Sequence, residues 1–430
     1  MISCEPGVRI LAQRGTTVRS VLHRIRQNGE QAVGPVKGHT AMSIESFAAR
    51  VDATTAADLR QIGGTKWADP AIMGAFIAEM DFGVAPVIQR ALHAAVDEGA
   101  FGYTPPKYRA QLQEATAARL RRLHGWSATA EQVFPVPDVI TAYEIAIAKF
   151  SAPGSKIIVP TPSYMPFLSV PESLGREVIE VPLRDEGGVW RFDIEALQDA
   201  FDAGGGILVL CNPFNPIGRV FTRVELQEIC DLVDRNGGRV FSDEIWAPLV
   251  FEGNELVSYA TIGDVAAGHT ITATAASKAW NLPGLKCAQL IVSNPADQAT
   301  MDEIGYWAGR GTATLGLVGS AAAFEHGDQW LSEVLSYLQG NRDELVDLVA
   351  AHLPGVKLTH PEATYVGWLD FSETGLENPA DFFREHAGVG LTDGGACGAA
   401  GVGSVRFIFA MPRPLMREAI QRMGEAFGSR

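Results

Sequence analysis

Short apolar runs alternate with amphipathic stretches from about Ile88 onward. The clearest runs are Lys156–Pro160, Gly206–Cys211, Gly238–Asp243 and His269–Thr274, each aliphatic or β-branched and bounded by Gly, Pro or polar residues. Continuous apolarity without alternation predicts strands covered on both faces, as in a parallel sheet. Between the second and third runs a helix is well marked. Thr222 stands three residues before Glu225, the spacing of a capping box. Val224, Leu226, Ile229, Leu232 and Val233 read as one apolar stripe, and Gly237-Gly238 offers a left-handed stop. Strand, helix and strand in this order form a βαβ unit, whose right-handed crossover makes the sheet parallel.

Past Trp330 the pattern changes. Helical stretches near 329–352 and 379–387 flank a strand-like Thr364–Asp370. A second strand-like run, Ser404–Phe409, follows, and a helix opened by Pro414 closes the chain. The pattern predicts an α/β fold: a large domain with a mostly parallel sheet over 88–328 and a smaller α+β C-terminal domain over 329–430. Residues 42–87 are expected as an arm that packs with the small domain.

Composition narrows the function. The 430 residues are 47% hydrophobic and 20% charged, enough for a large core without disulfides or metals. A net charge of −15 repels phosphate backbones, which argues against nucleic-acid binding. No apolar run is long enough to span a bilayer. Cys4, Cys211, Cys230, Cys287 and Cys397 are scattered without a Cys-x-x-Cys pair, as expected of free thiols in a cytoplasmic protein. The histidines, His124 and His269 among them, lack ligand spacing, so no metal is expected. Residues 1–40 differ from the rest, with a net charge of +4 that leaves −19 for the remainder. They resemble a transit peptide only loosely, and 1–41 is expected to be a disordered or non-native leader, with Met42 as an alternative start.

Ligands of a doubly wound sheet bind beyond the carboxyl ends of its strands. There this chain places Thr161-Pro-Ser-Tyr164, Asn212-Pro-Phe-Asn-Pro-Ile-Gly218, Asp243-Glu244 and Ala275-Ala-Ser-Lys278. An aromatic ring, an amide, a carboxylate and an amine on one edge are what a pyridine aldehyde cofactor needs. Singly, each has a plainer reading: Lys278 as a solvated lysine, Asp243 as a helix cap, Arg406 as a surface ion pair, and Tyr164 and Trp246 as core aromatics. Their order and spacing speak against all of these holding together.

At these residues the sequence resembles the fold type I pyridoxal-phosphate enzymes of the class I/II aminotransferase superfamily. The motif is Asn212-Pro-x-Asn215-Pro-x-Gly218, then Asp243 28 residues after Asn215, then Ser277-Lys278 with Lys278 35 residues after Asp243. Lys66-Trp67, Ala78-Glu-Met-Asp-Phe82, Phe101-Gly-Tyr-Thr104, Ser242–Trp246, Pro361–Asp370 and Arg406 with Met411-Pro-Arg413 resemble the cystathionine β-lyase-like C–S lyases. The resemblance implies pyridoxal 5'-phosphate as cofactor, Lys278 as its Schiff-base lysine and catalytic base, and Asp243 as the ring-nitrogen partner. It implies that Asn215 contacts the ring oxygen, Tyr164 stacks on the ring, and Ser277 and Trp246 complete the cofactor site. Val139 and Ile140, opening a helix after Pro137-Asp138, would offer amides to the phosphate, and Lys286 a positive charge. Arg406 would grip the substrate carboxylate, with Asn215 beside it. Tyr103 would reach the phosphate of a neighbouring subunit in a homodimer.

Three positions depart from the aminotransferase pattern. Asp138 stands where a glycine is usual, Lys286 where an arginine pairs with phosphate, and Trp246 where a tyrosine donates to the ring oxygen. The last points away from an ordinary aminotransferase. The implied activity is β-elimination of cystathionine or related S-substituted cysteines to a thiol, pyruvate and ammonia. An aminotransferase is the alternative, and a partner-binding regulator on the same fold a further one.

Overall fold

Seven strands build the larger sheet of the computed structural model, which describes residues 46–430. They are β1 (Val133–Val136), β2 (Lys156–Thr161), β3 (Val178–Pro182), β4 (Gly205–Cys211), β5 (Arg239–Asp243), β6 (Thr270–Thr274) and β7 (Ala288–Val292). Their spatial order is β1-β7-β6-β5-β4-β2-β3. The pairs from β6 through β3 are parallel, and β7 runs antiparallel to both its neighbours. The expected leader over 1–41 lies outside the described residues.

The four apolar runs form β2, β4, β5 and β6. Ile207 to Cys211 are all buried, as a strand covered on both faces requires. Helix α1 (Val139–Phe150) follows β1, and α2 (Arg223–Arg235) makes the crossover from β4 to β5. Both halves of the α2 capping box form: Glu225 N–H donates to Thr222 Oγ1, and Thr222 N–H donates to Glu225 Oε2. Gly237 takes the left-handed turn, with φ +60°.

One member of the α2 stripe is corrected. Val224 is 70% exposed, whereas Leu226, Ile229, Cys230, Leu232 and Val233 are buried. At 100° per residue Val224 lies about 180° around the helix from Val233, on the solvent side. Its place in the first turn, next to the cap, hides this in a short window.

The second sheet, ordered β8-β9-β11-β10, contains β8 (Lys357–Thr359), β9 (Val366–Asp370), β10 (Thr392–Asp393) and β11 (Ser404–Ile408), all antiparallel. The strand expected from Thr364 begins at Val366, because Thr364 adopts φ +73° and sends its N–H to the Leu249 carbonyl. Helices α3 (Asp328–His352) and α4 (Arg413–Gly428) pack against each other beside this sheet. Asn341 of α3, wholly buried, donates to the Phe409 and Met411 carbonyls. The arm joins in through Met73–Gly74, which pairs parallel with Val389–Gly390, and through Phe47, edge-on to Trp330 and Tyr337.

One apolar core runs through both sheets. Their junction is close at Gly218, where φ is +72° and a Cβ would lie 2.8 Å from Pro361. The Gly218 carbonyl there accepts from the Glu362 and Ala363 amides. Only glycine fits this crossing of the Asn212–Gly218 loop beneath the second sheet. Among the described residues no helix is long and apolar enough to cross a membrane.

The corrected stripe gives a stability contrast. Val224→Ala is expected to change unfolding free energy by less than about 0.5 kcal/mol. Leu226→Ala is expected to cost about 2–5 kcal/mol. Urea denaturation of the two variants checks this, and equal losses would return Val224 to the core.

Candidate active site

The carboxyl ends of the parallel strands meet the N-terminus of α1 around one cavity. It is lined by Tyr164 after β2, Asn215 after β4, Asp243 at the end of β5, and Ala275, Ser277 and Lys278 after β6. Val139, Ile140 and Asp138 of α1, Lys286, Trp246 and Ala78 complete the wall. Nine of the eleven residues expected at the site therefore line this cavity; Arg406 is not in its wall but approaches from the second sheet, near enough for its charge to act on Lys278 and Tyr164. Tyr103 is fully exposed and stands apart from the cavity.

Asp243 sits at 3% exposure. Its Oδ1 accepts from the Ile245 amide at 3.0 Å, and its Oδ2 has only the Cys211 thiol, at 3.8 Å. Strand register puts Cys211 directly opposite Asp243. Burial pushes the carboxyl up to about 7, against the pull of the Ile245 and Cys211 bonds. A donor or cation facing Oδ2 would restore the ionised form.

Lys278, half-buried, stands beside it. Desolvation, and then the Arg406 charge, lower its ammonium to about 8. The amine donates to the Ala78 carbonyl at 2.9 Å and lies 5.6 Å from the centre of the Trp246 ring. The same carbonyl accepts from the Tyr365 hydroxyl at 3.0 Å, and the Tyr365 ring packs edge-on against Trp246 at 4.7 Å.

The carbonyl is held by a pinned segment. Asn281 exchanges hydrogen bonds with Met80 N–H and C=O, and the buried Lys66–Asp81 pair closes at 2.8 Å. Asp81 also accepts from Trp67 Nε1, and its N–H donates to the carbonyl of Ala410, just past β11. Neither the Ala78 carbonyl nor Tyr365 had a role assigned from sequence. Both lie inside quoted motifs, but a backbone acceptor leaves no side-chain signal, and a tyrosine in an apolar strand reads as core.

Arg406, on β11, is 2% exposed. Its NH1 meets the Met165 thioether at 3.3 Å, the Cys397 thiol also contacts the guanidinium, and its Nε has no partner. The surface ion pair considered for it is absent, and no carboxylate among the described residues neutralises it. Arginine cannot discharge itself by losing a proton, so this desolvated fork is complementary to an anion that comes from outside.

These loose ends test the implied cofactor. Asn215 Oδ1 is buried and unpartnered, Asp243 Oδ2 has a weak thiol donor, and Tyr164 stands in the cavity wall. A ring bearing a basic nitrogen and a hydroxyl would offer a donor to Asp243 Oδ2 and to Asn215 Oδ1 and a face to Tyr164, and Val139 and Ile140, in the cavity wall, open a 12-residue helix whose first amides have no acceptor within it. Asp138 caps that helix and binds Lys286 Nζ at 2.6 Å. The residues fit pyridoxal phosphate. His269, by contrast, bonds the Tyr259 hydroxyl at 2.9 Å, away from the cavity.

Burial of the amine has a measurable consequence. With Lys278 near 8 when folded and near 10.5 when unfolded, the unfolded chain binds the extra proton between those values, so stability rises with pH across that window. In cofactor-stripped protein, Lys278→Met is therefore expected to stabilise at pH 7 by roughly 2–3 kcal/mol, a gain that fades toward pH 10. Urea unfolding of both proteins at the two pH values measures it. A difference independent of pH would mean a solvated amine.

Comparison with known proteins agrees with this geometry. The sequence matches the family described as aminotransferase class I and II over residues 77–423. A cystathionine beta-lyase of Corynebacterium glutamicum is 37% identical, the match covering 82% of this chain and 93% of that protein. A structure from Corynebacterium diphtheriae, assigned as a PLP-dependent beta-cystathionase, superposes with a TM-score of 0.83 at 39% identity, covering 87% and 98% of the two chains. Cystalysin from Treponema denticola, whose structure contains pyridoxal 5'-phosphate, gives 0.82 at 26% identity, covering 87% and 98%. With its motif residues gathered in one cavity and most of its length matched, the chain belongs to the aminotransferase class I and II family.

Proposed function

We propose that this protein is a pyridoxal-phosphate-dependent C–S β-lyase that converts cystathionine or related S-substituted cysteines to a thiol, pyruvate and ammonia. The observation that carries the amino-acid substrate is Arg406, a buried guanidinium without a carboxylate, close enough to Lys278 to depress its affinity for a proton. The activity borne by the Corynebacterium glutamicum relative supports the lyase over other chemistries.

When bound, pyridoxal phosphate supplies an electron-accepting ring that makes the Cα–H bond of an attached amino acid breakable. Arg406 receives the α-carboxylate through its bidentate fork and fixes the direction of the Cα–H bond. Lys278 Nζ, neutral for a useful fraction of the time because its value is near 8, takes the Cα proton. Asp243 Oδ2 would hold a proton at the ring nitrogen, and that ion pair would relieve the cost of its own burial. Asn215 would contact the ring oxygen, and Tyr164 would cover the ring face. Trp246 and Tyr365 keep water from the amine, and the Ala78 carbonyl gives it a fixed acceptor.

The full exposure of Tyr103, and the 75% exposure of Phe101 nearby, support a homodimer in which Tyr103 completes the partner's phosphate site. Four buried free thiols support a reducing, cytoplasmic setting.

Purified protein is expected to release pyruvate from L-cystathionine with no keto acid added. Lys278→Ala should lower that rate by roughly a hundredfold or more. Arg406→Lys should raise KM more than it lowers kcat, since it keeps the charge and loses the fork. A cofactor spectrum that shifts to the amine form and recovers only when a keto acid is supplied, with no pyruvate, would replace the lyase by an aminotransferase.

A further inference from the structure

The anion end of the cavity is where the chain leaves the pattern it otherwise follows, with Asp138 and Lys286 in place of glycine and arginine. One carboxylate there holds three donors. Asp138 Oδ1 accepts from the Thr141 amide at 2.8 Å and the Thr141 hydroxyl at 2.9 Å, and Oδ2 accepts from Lys286 Nζ at 2.6 Å. These are donors that a helix N-terminus would otherwise turn toward a phosphate. The Val139 and Ile140 amides, which have no acceptor within the helix, are left free.

The side-chain charge at this end therefore cancels. Burial pushes the Asp138 carboxyl up, but the Lys286 and Thr141 bonds outweigh it and hold the group below its ordinary range, so it faces an incoming phosphate as an anion. The pair can exchange partners. Side chains 37% and 57% exposed make a weak, solvent-screened contact. The Lys286 backbone is fixed in a left-handed turn, its carbonyl accepting from Ala313, so only the side chain has to swing.

We propose that Asp138 competes with the cofactor's phosphate for Lys286 and for the Thr141 donors, so that this chain holds pyridoxal phosphate less tightly than its donor set allows and gives it up by exchange. The proposal rests on the cofactor assignment made above. Asp138 is thus a positioning residue that acts through Lys286 and Thr141 and sets cofactor retention.

The test uses Asp138→Asn in the full chain. Asparagine keeps the size and the helix cap and removes the charge. Chain loaded with pyridoxal phosphate is diluted stepwise, and the free cofactor is separated and measured to give Kd. Asp138→Asn is expected to lower Kd by about tenfold or more, the worth of one recovered charge-assisted hydrogen bond. Kd for pyridoxal, which lacks the phosphate, should not move. Lys286→Gln should raise Kd by a larger factor in the Asp138→Asn background than in the native one, because Lys286 no longer has to leave Asp138 first.

Asp138→Ser, which also caps the helix, repeats the comparison should the first variant fold poorly. An unchanged or higher Kd, an equal shift for pyridoxal, or equal Lys286→Gln factors in both backgrounds would overturn the competition while leaving the cofactor assignment intact. A native chain that retains neither pyridoxal phosphate nor pyridoxal would overturn both.

Discussion

Desolvation of three ionisable side chains within one space governs everything else at this site. Asp243 and Arg406 are buried and Lys278 half-buried, and they respond to desolvation differently because their chemistry differs. The lysine shifts toward its neutral amine and the aspartate toward its neutral acid, each escaping part of the cost of burial. Arginine has no such escape. Its fixed charge pushes the lysine further down and calls for an anion that the described chain does not supply. A carboxylate for the arginine, a basic ring nitrogen for the aspartate and an aldehyde for the lysine amine would complete all three, so the site is organised around what it binds.

The constraint is shared between the two sheets. Asp243 ends a strand of the large sheet and Lys278 follows another, while Arg406 lies on β11 of the second sheet and Tyr365 immediately precedes its β9. Segment 78–83 is stitched to both, through Asn281 on one side and Ala410 on the other. Its Ala78 carbonyl is where the lysine and the tyrosine meet. The tight crossing at Gly218 and the burial of Lys66 with Asp81 serve the same end, since they fix the backbone that fixes the amine. A buried ion pair of this kind is weak evidence of stability but strong evidence of a fixed register.

Much of this was legible beforehand for identifiable reasons. Buried parallel strands announce themselves as unbroken apolar runs, and the Thr222/Glu225 box marks its helix with two side chains at a fixed spacing. Asp243 could be found because it ends such a strand, and Asn215 and Lys278 because they lie in the loops that follow two others. Legibility failed where contact depends on the third dimension. Val224 looks like its neighbours until the helix angle is followed from the cap, and Thr364 looks like strand until its backbone turns left-handed. The Ala78 carbonyl has no residue type to betray it. Asp138 was visible as a departure, but the sequence could not show that its carboxylate caps α1 and holds Lys286.

The tryptophan at 246 follows from the same geometry. Where many relatives of the pattern place a phenol, this chain places an indole that cannot accept a hydrogen bond and that lies against the lysine amine. The hydroxyl is not lost from the neighbourhood, because Tyr365 packs on that indole from the other sheet. Its hydroxyl points to the Ala78 carbonyl, so it bonds the lysine's acceptor rather than competing for the amine itself. Lys278 is thereby held by a neutral backbone group and an aromatic face, neither of which can exchange a proton with it near neutral pH. An amine so isolated keeps the lowered value that burial gives it, and its proton traffic is left to the one partner that carries a labile C–H bond.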